Sequence, residues 1–450
     1  MRIGLITLGC DKNTVDNEYL AGLLEDRGCD VTFSDLEHLD PTMDAVVVTT
    51  CGFIGDAKAQ SVETLAWLAE SQKATGRPTR IFAAGCLAQR YAQDLASELP
   101  ELSGIVGVGQ YAQLVDLILS SNGKQVAVSA QPAVEIEGFM RRKRSDDMPY
   151  AFLKISDGCN HGCTFCSIPI MKGKHRSVPP DVLLQEAQSL IDQGARELVL
   201  VAQDLADYGK DRGRDWRLPR LLRELAQLTG DYWLRCMYCY PMGVTDALLD
   251  VLANESKIVP YLDVPLQHLD PEVLRRMKRP AREVDTAQMV RRLRDAVPDI
   301  ALRTTMIVGF PGETPAAHRR MLDGMQSLRF DWLGAFQYSK EEDTPAASAE
   351  RQVGKAVKEK RWKAVMETQA LITRERLESR IDRDLPILVE RFDAEQGLWV
   401  GRSPYEAPEI DGNVFIEGAR SDSLRAGQFV TARVTRALDY DLMASVAPSA

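Results

Sequence analysis

The hydrophobic pattern divides the chain into stretches of different period. Up to about residue 120, compact apolar runs alternate with amphipathic segments. RIGLITLG at the amino terminus, AVVVTT at 45–50 and RIFAAG at 80–85 read as buried β-strands. Between them the spacing predicts one helix that Asn13 or Thr14 caps and Gly28 ends, a second running to about Gly76, and a third from about Ala88. This alternation predicts a multidomain α/β protein that begins with a doubly wound parallel sheet (1–120) covered by helices on both faces. Residues 121–144 have weak periodicity and read as a linker with room for a hairpin. From 145 to 376 six strand candidates (151–156, 197–203, 232–238, 260–267, 300–309, 332–339) are separated by helical segments. Six β/α units predict a parallel sheet, open or partly closed as a partial (β/α)6 barrel, with function at the carboxyl ends of its strands. After a charged helix near 357–380 the period falls to two. LPILVE, LWVGRS, GNVFIE and FVTARV, separated by Gly, Pro, Asp and Asn, predict a small all-β barrel or sandwich of five strands over 377–446.

Composition adds little to this architecture but narrows the setting. No apolar run approaches the roughly 20 residues that span a bilayer. Charges come too early in MRIGLITLGCDKN for a signal peptide, so a cytoplasmic protein is expected. A net charge of −10 argues against a chain held to nucleic acid by bulk electrostatics. The run Arg141-Arg142-Lys143-Arg144 reads as a solvated surface. Nine cysteines in a reducing compartment are expected to be metal ligands, nucleophiles or buried thiols, since disulfides are disfavoured there.

Cys159, Cys163 and Cys166 form a C-x3-C-x2-C run directly after the strand 151–156. Three thiolates on one loop hold three irons of a cubane that usually has four protein ligands, which leaves one iron open to a small chelating ligand. Gly158 and Gly162 are expected to let the loop wrap closely around it. A zinc site with His161 or a remote fourth ligand is the alternative, but zinc motifs usually pair two C-x2-C knuckles. Cys10, Cys51 and Cys86 each lie just past one of the amino-terminal strands and beside a glycine (Gly9, Gly52, Gly85). Strand ends lie side by side in a doubly wound sheet, so these thiols are expected to converge on a second cluster with an open iron. Three separately buried structural cysteines are the alternative. Cys29, Cys236 and Cys239 read as structural.

Along nearly its whole length the chain resembles the methylthiotransferases of the radical S-adenosylmethionine superfamily. The resemblance rests on LGCDKNTVDNE, TTCGFI, AAGCLAQR, LKISDGCNHGCTFCSIPIMKGKHRS, LVLVAQD, YLDVPLQH and RTTMIVGFPGET, and the terminal β module is similar to a TRAM domain. KISDGC, PLQH and EIDGNVFIEG are most similar to the RimO group, which methylthiolates the β-carbon of an aspartate in ribosomal small-subunit protein 12. The resemblance implies two 4Fe–4S clusters, with S-adenosylmethionine as both methyl donor and radical source. It implies that the Cys159/Cys163/Cys166 cluster chelates S-adenosylmethionine and breaks a C–S bond after receiving an electron. Sulfur would then come from the Cys10/Cys51/Cys86 cluster.

Phe165, Gln203, Arg303 and Gly309 are candidate cofactor contacts, with Arg303 meeting the cofactor carboxylate; Asp204, Gln267 and His268 are candidate substrate contacts. The sequence departs from the family pattern at Leu205-Ala206, at Leu269-Asp270-Pro271 and at Lys12. An electron donor such as flavodoxin or ferredoxin, a monomeric state and no membrane association are expected. The sister reaction, on an isopentenylated adenosine of tRNA, is the alternative. From Glu378 onward, however, eight Arg face thirteen Asp and Glu with no Lys, a net −5. An acidic module suits a basic ribosomal protein better than RNA.

Overall fold

Alternation within the first strand decides how the amino-terminal sheet is covered. In β1 (Arg2–Thr7), Ile3 and Leu5 face one side, where they meet Leu20 and Leu24 of helix α1 (Asp11–Asp26). Ile6 faces the other side with Val46 and Val48 of a later strand, against Leu65 and Leu68 of helix α2 (Gly55–Thr75). Burying each such side chain contributes about 1.5–3 kcal/mol before the entropy of ordering is counted. The sheet comprises β1, β2 (Asp30–Ser34), β3 (Ala45–Thr50), β4 (Arg80–Gly85), β5 (Leu102–Val106) and β6 (Gln125–Ala127), in the order β2-β1-β3-β4-β5-β6. Every adjacent pair is parallel. The order reverses between β1 and β3, and the crevice at such a switch point is where doubly wound folds bind ligands.

This computed structural model describes all residues except 76–78, 121–124, 130–131, 133–137, 139–140, 214, 281–283, 419–423 and 447–450. Much of the expected linker 121–144 thus lies outside the described residues. The chain forms two compact units, 1–147 with 154–186 and 339–347, and 148–153 with 187–338 and 348–450. The first unit contains the amino-terminal sheet and also the short antiparallel pair β8 (Ser156–Asp157) and β9 (Arg176–Ser177), between which the loop of Cys159, Cys163 and Cys166 lies.

In the second unit β7 (Tyr150–Lys154), β10 (Glu197–Val201), β11 (Trp233–Cys236), β12 (Ile258–Asp263), β13 (Ala301–Val308) and β14 (Trp332–Gln337) form an open six-stranded sheet in sequential order. All pairs from β10 to β14 are parallel. After a long helix (Lys355–Glu378) come β15 (Asp384–Asp393), β16 (Leu398–Arg402), β17 (Val414–Glu417), β18 (Phe429–Ala437) and β19 (Leu442–Val446). They close a barrel in the order β15-β16-β17-β19-β18, which removes exposed sheet edges. Buried charges fasten this barrel to the sheet. Glu197, the first residue of β10, accepts from Arg235 of β11 at 2.6 Å and from Arg402 of β16 at 2.5 Å. Trp332 donates to the Tyr405 carbonyl at 2.7 Å, and Tyr261 to Asp411 at 2.6 Å.

Three local expectations change. α1 begins at Asp11 with Cys10 as its cap residue, because Asn13 is instead buried and donates to the Leu8 carbonyl at 2.6 Å. Strands β2, β5 and β6 join the sheet although their sequences are short and half-polar. The basic run is solvated only in part, with Arg141 exposed and Lys143 and Arg144 half-buried. Arg142 is buried and pairs with Glu18 and with Glu186 (2.6 Å), while Arg141 and Lys143 pair with Glu25.

Candidate functional site

Cys10, Cys51 and Cys86 follow β1, β3 and β4, and backbone conformation brings their loops together. Gly9 has φ +98°, and a Cβ there would sit 2.7 Å from the Cys51 Cβ and 3.0 Å from its Sγ. Gly85 has φ +91° and turns the chain into the short helix α3 (Cys86–Arg90), with Cys86 as its first residue. A Cβ on Gly52 would lie 3.0 Å from the Leu87 backbone nitrogen, so the Cys51 loop packs directly on the start of α3. Only glycine tolerates positive φ without strain, and only glycine allows these approaches. Thr50 accepts from Ala88 at 3.3 Å and donates to the Ala84 carbonyl at 2.6 Å, tying the ends of β3 and β4. Cys10 is exposed, Cys51 half-buried and Cys86 buried. Burial pushes the Cys86 thiol up to about 12 and raises Cys51 too, and each of these two also feels Cys10.

The second thiol loop is held at both ends. Gly158 has φ +74°, and a Cβ there would meet the Lys174 carbonyl oxygen at 2.2 Å. Cys159 donates to the Gly173 carbonyl at 3.1 Å, and the Thr164 carbonyl accepts from Ala346 at 2.9 Å. Within the loop the Cys159 sulfur accepts from the His161 backbone (3.4 Å) and the Cys166 sulfur from Ile168 (3.5 Å). N–H donors aimed at sulfur favour the thiolate and tune an iron–sulfur site. Gly162, expected to permit close wrapping, has nothing within 4 Å of an added Cβ, so that role belongs to Gly158 alone. All three thiols are half-buried, as is Phe165 beside Cys166. The donor sets fit iron–sulfur clusters. Each offers three cysteine thiols on glycine-shaped loops, and soft thiolate ligands favour iron–sulfur clusters over hard cations.

Between the two sets lies a buried ionic group that sequence reasoning missed. Lys154 ends β7 and pairs with Asp16 of α1 and with Asp157 (3.4 Å). Lys172 reaches Asp157 at 3.3 Å and Asp16 at 3.5 Å. Burial alone would raise Asp157, but Lys172 and Lys154 outweigh it and hold the carboxyl at about 2. A charged residue at the end of the otherwise apolar strand YAFLK was the available signal.

Of the expected contacts in the second unit, Gln203, Asp204, Gln267, His268 and Gly309 follow the carboxyl ends of β10, β12 and β13, whereas Arg303 is the third residue of β13. The Gln203 side-chain oxygen is buried without a hydrogen-bond partner among the described residues, which suits a donor-bearing ligand. Gln267 takes φ +75°, held by backbone bonds of 2.7 Å to Thr305 and from Ile307. Asp204 is otherwise engaged: one carboxylate oxygen accepts from Ala206 (2.8 Å) and Tyr240 (3.0 Å), which makes it a cap. His268 is fully buried, accepts from the Asp270 backbone (2.8 Å) and faces Glu313 at 3.7 Å, so it supports the following turn. Arg303 pairs with Asp411 (3.3 Å) and Asp263 (3.6 Å), two carboxylates that already answer its charge. Gly309 (φ +72°) is required by packing, since a Cβ there would meet the Lys358 stem at 2.3 Å. Cys29, Cys236 and Cys239 are buried.

The Radical SAM superfamily model matches residues 153–323, the TRAM domain model 381–447 and the uncharacterized protein family UPF0004 model 2–107. Among solved structures, a radical S-adenosylmethionine methyltransferase (TsrM) from Kitasatospora setae, with cobalamin and a [4Fe-4S] cluster bound, matches with a TM-score of 0.59. At 18% identity it covers 77% of this chain and 76% of its own, a likeness of fold alone. The fold and the two thiol sets define a radical S-adenosylmethionine enzyme with an added amino-terminal domain and a TRAM barrel. Proteins called ribosomal protein uS12 methylthiotransferase RimO are similar over the full length. Those from Lachnoclostridium phytofermentans (41% identical; 98% of this chain, 99% of that one), Geobacter sulfurreducens (40%; 99% and 98%) and Moorella thermoacetica (42%; 99% and 99%) are examples. The chain belongs to this RimO family of methylthiotransferases. Among the described residues no helix is long and apolar enough to cross a membrane.

Proposed function

We propose that the chain methylthiolates the β-carbon of an aspartate in ribosomal protein uS12, with Cys10, Cys51 and Cys86 holding one 4Fe–4S cluster and Cys159, Cys163 and Cys166 the other. This reading is supported by the presence of both sets of three cysteines within one compact unit, in a chain about 40% identical to uS12 methylthiotransferases over its full length. When bound, and given an electron from an external donor, the clusters and S-adenosylmethionine would supply a hydrogen-abstracting radical by C–S cleavage, a methyl group and a transferable sulfur, the means to functionalise a CH2 group that no acid or base can activate. The protein's own part is positional. Gly9, Gly85 and Gly158 give the loops their shape, N–H groups face Cys159 and Cys166, and burial of Cys86 keeps water from one side of its site. Gln203, whose buried side-chain oxygen lacks a hydrogen-bond partner among the described residues, is the candidate for orienting a ligand at the strand ends, with Gln267 a second candidate.

A protein substrate fits the charge distribution. In the basic run that could offer phosphate contacts, Arg142 is buried between Glu18 and Glu186, and Arg141 and Lys143 pair with Glu25 nearer the surface. In the carboxyl-terminal segment Arg380, Arg402, Glu390, Glu406 and Asp411 are buried in pairs, and the remainder is still acidic. Mass spectrometry of uS12 from a deletion strain tests the reading. Restoring this chain should restore the methylthio mass, and C86S or C163S should not. An unmodified uS12 in the presence of the active chain would overturn it.

A further inference from the structure

Residues 339–347 come just after β14, yet they belong to the first unit, and the chain returns to the second at 348. The reaction as read above gives this segment no part. Its anchor is Glu341, whose side chain is 3% exposed. The carboxylate accepts from Lys58 at 2.8 Å, from Arg90 at 3.2 Å and from the Ser339 hydroxyl at 2.7 Å. Burial alone would raise this carboxyl, but Lys58, Ser339 and Arg90 hold it below the ordinary range, so it is ionised at neutral pH. Lys58 stands in the first turn of α2, the helix whose Ser61 hydroxyl accepts from the Cys51 backbone at 3.0 Å. Gly55, the first residue of that helix, donates to the Ser339 hydroxyl at 3.3 Å. Arg90 is the last residue of α3, which Cys86 begins, and it donates to the Glu342 carbonyl as well. Further along the segment, Ala346 donates at 2.9 Å to the carbonyl of Thr164, which lies between Cys163 and Cys166.

We propose, resting on the reading that the six thiols hold two clusters serving one reaction, that Glu341 is a positioning residue: it fixes the elements of Cys51 and Cys86 against the Cys159–Cys166 loop and so couples radical formation to methylthio transfer. The ionic group of Asp16, Lys154, Asp157 and Lys172 ties the Cys159 loop to α1, which starts directly after Cys10. Residues 339–347 do the same for the other two amino-terminal thiols. A buried carboxylate with three directional partners admits one register, which an apolar contact of equal area would not impose. Where two groups must meet at one carbon, a displacement of about 1 Å costs about a hundredfold.

The test uses the anaerobically reconstituted full chain, E341Q and E341Q/R90Q. Hydrogen exchange followed by mass spectrometry reads the tie itself. Amides at Gly55 and Ala346 should exchange about tenfold faster or more in E341Q, with 45–50 of β3 unchanged. With dithionite as reductant, the 5′-deoxyadenosine released per methylthio group placed on uS12 should rise about tenfold or more, at unchanged iron content. E341Q strands the Arg90 cation, which is 3% exposed, and E341Q/R90Q removes it. Stability in urea should therefore return in the double variant while the coupling does not. If E341Q fails to fold, E341Q/R90Q decides by the same exchange and coupling measurements. An unmoved ratio at full iron, unaltered exchange at 55 and 346, or coupling that returns together with stability overturns the proposal. A failure of the two-cluster reading shows differently, as an unaltered chain that binds only about four irons per molecule instead of about eight.

Discussion

Arg402→Met tests how the carboxyl-terminal barrel is fastened. The Arg402 side chain is 1% exposed. It donates to Glu390 at 2.7 Å, to Glu197 at 2.5 Å and to the Glu406 carbonyl at 2.9 Å. Removing it leaves Glu390 buried without its cation, while Glu197 keeps Arg235. Loss of one partner from a buried pair costs about 3–5 kcal/mol, because the remaining charge stays desolvated and uncompensated. The cost falls on local opening of β15 and β16, where hydrogen exchange followed by mass spectrometry reads it. At about 1.4 kcal/mol per decade, amides of 384–402 should exchange roughly 10²- to 4 × 10³-fold faster in R402M. R402M/E390Q removes the stranded carboxylate and should recover most of the protection. Acceleration of less than tenfold in R402M, or no recovery in R402M/E390Q, would refute the reasoning.

Two further outcomes are expected. Burial raises the Asp411 carboxyl to about 6 despite Arg303 and the Tyr261 hydroxyl, from an ordinary 3.8. A raised carboxylate binds its proton more tightly in the folded state, so its contribution falls as pH rises from about 4 to 6, by about 3 kcal/mol. D411N should therefore gain stability relative to the unaltered chain across that interval in urea melts; a difference independent of pH would contradict this. Gly9→Ala forces a Cβ against Cys51 at positive φ. It should lower bound iron from about eight to about four per chain while S-adenosylmethionine cleavage persists, and unchanged iron would exclude a shaping role for Gly9.

What the sequence made legible was whatever has a period or a fixed local spacing. AVVVTT, ELVLV and ALRTTMIV became strands because fully buried parallel strands are near-continuous apolar runs. The C-x3-C-x2-C loop needed no long-range information, and Cys10, Cys51 and Cys86 could be grouped because strand ends in this topology adjoin. Side chains whose partners lie far away in sequence were not legible. Arg303 was expected at a cofactor carboxylate, yet its partner Asp411 is 108 residues distant in a different β-structure. Arg142 looked solvated because Glu186 is 44 residues away. His268 and Asp204 stand at strand ends as function would require, but they satisfy backbone N–H groups. Position alone cannot separate those uses.

The two compact units do not follow the order of the sequence domains, and this bears on the chemistry. Residues 154–186, with the second thiol set, belong to the same compact unit as the amino-terminal sheet. Chemistry at one carbon by two groups requires their separation to be held closely, within about 0.5 Å. If the six thiols are cluster ligands as proposed, that separation is fixed inside one unit. The fixing elements are the buried charges Asp16, Lys154, Asp157 and Lys172, with Glu18, Arg142 and Glu186 behind them. Well-packed apolar residues of similar volume would often match or exceed the stability of such ion groups. Their directional bonds instead specify one arrangement of α1 against the Cys159 loop, and an error there misplaces both thiol sets at once. The tolerance of the fold to neutral replacements at these four positions, set against the intolerance of the reaction, would separate stability from register.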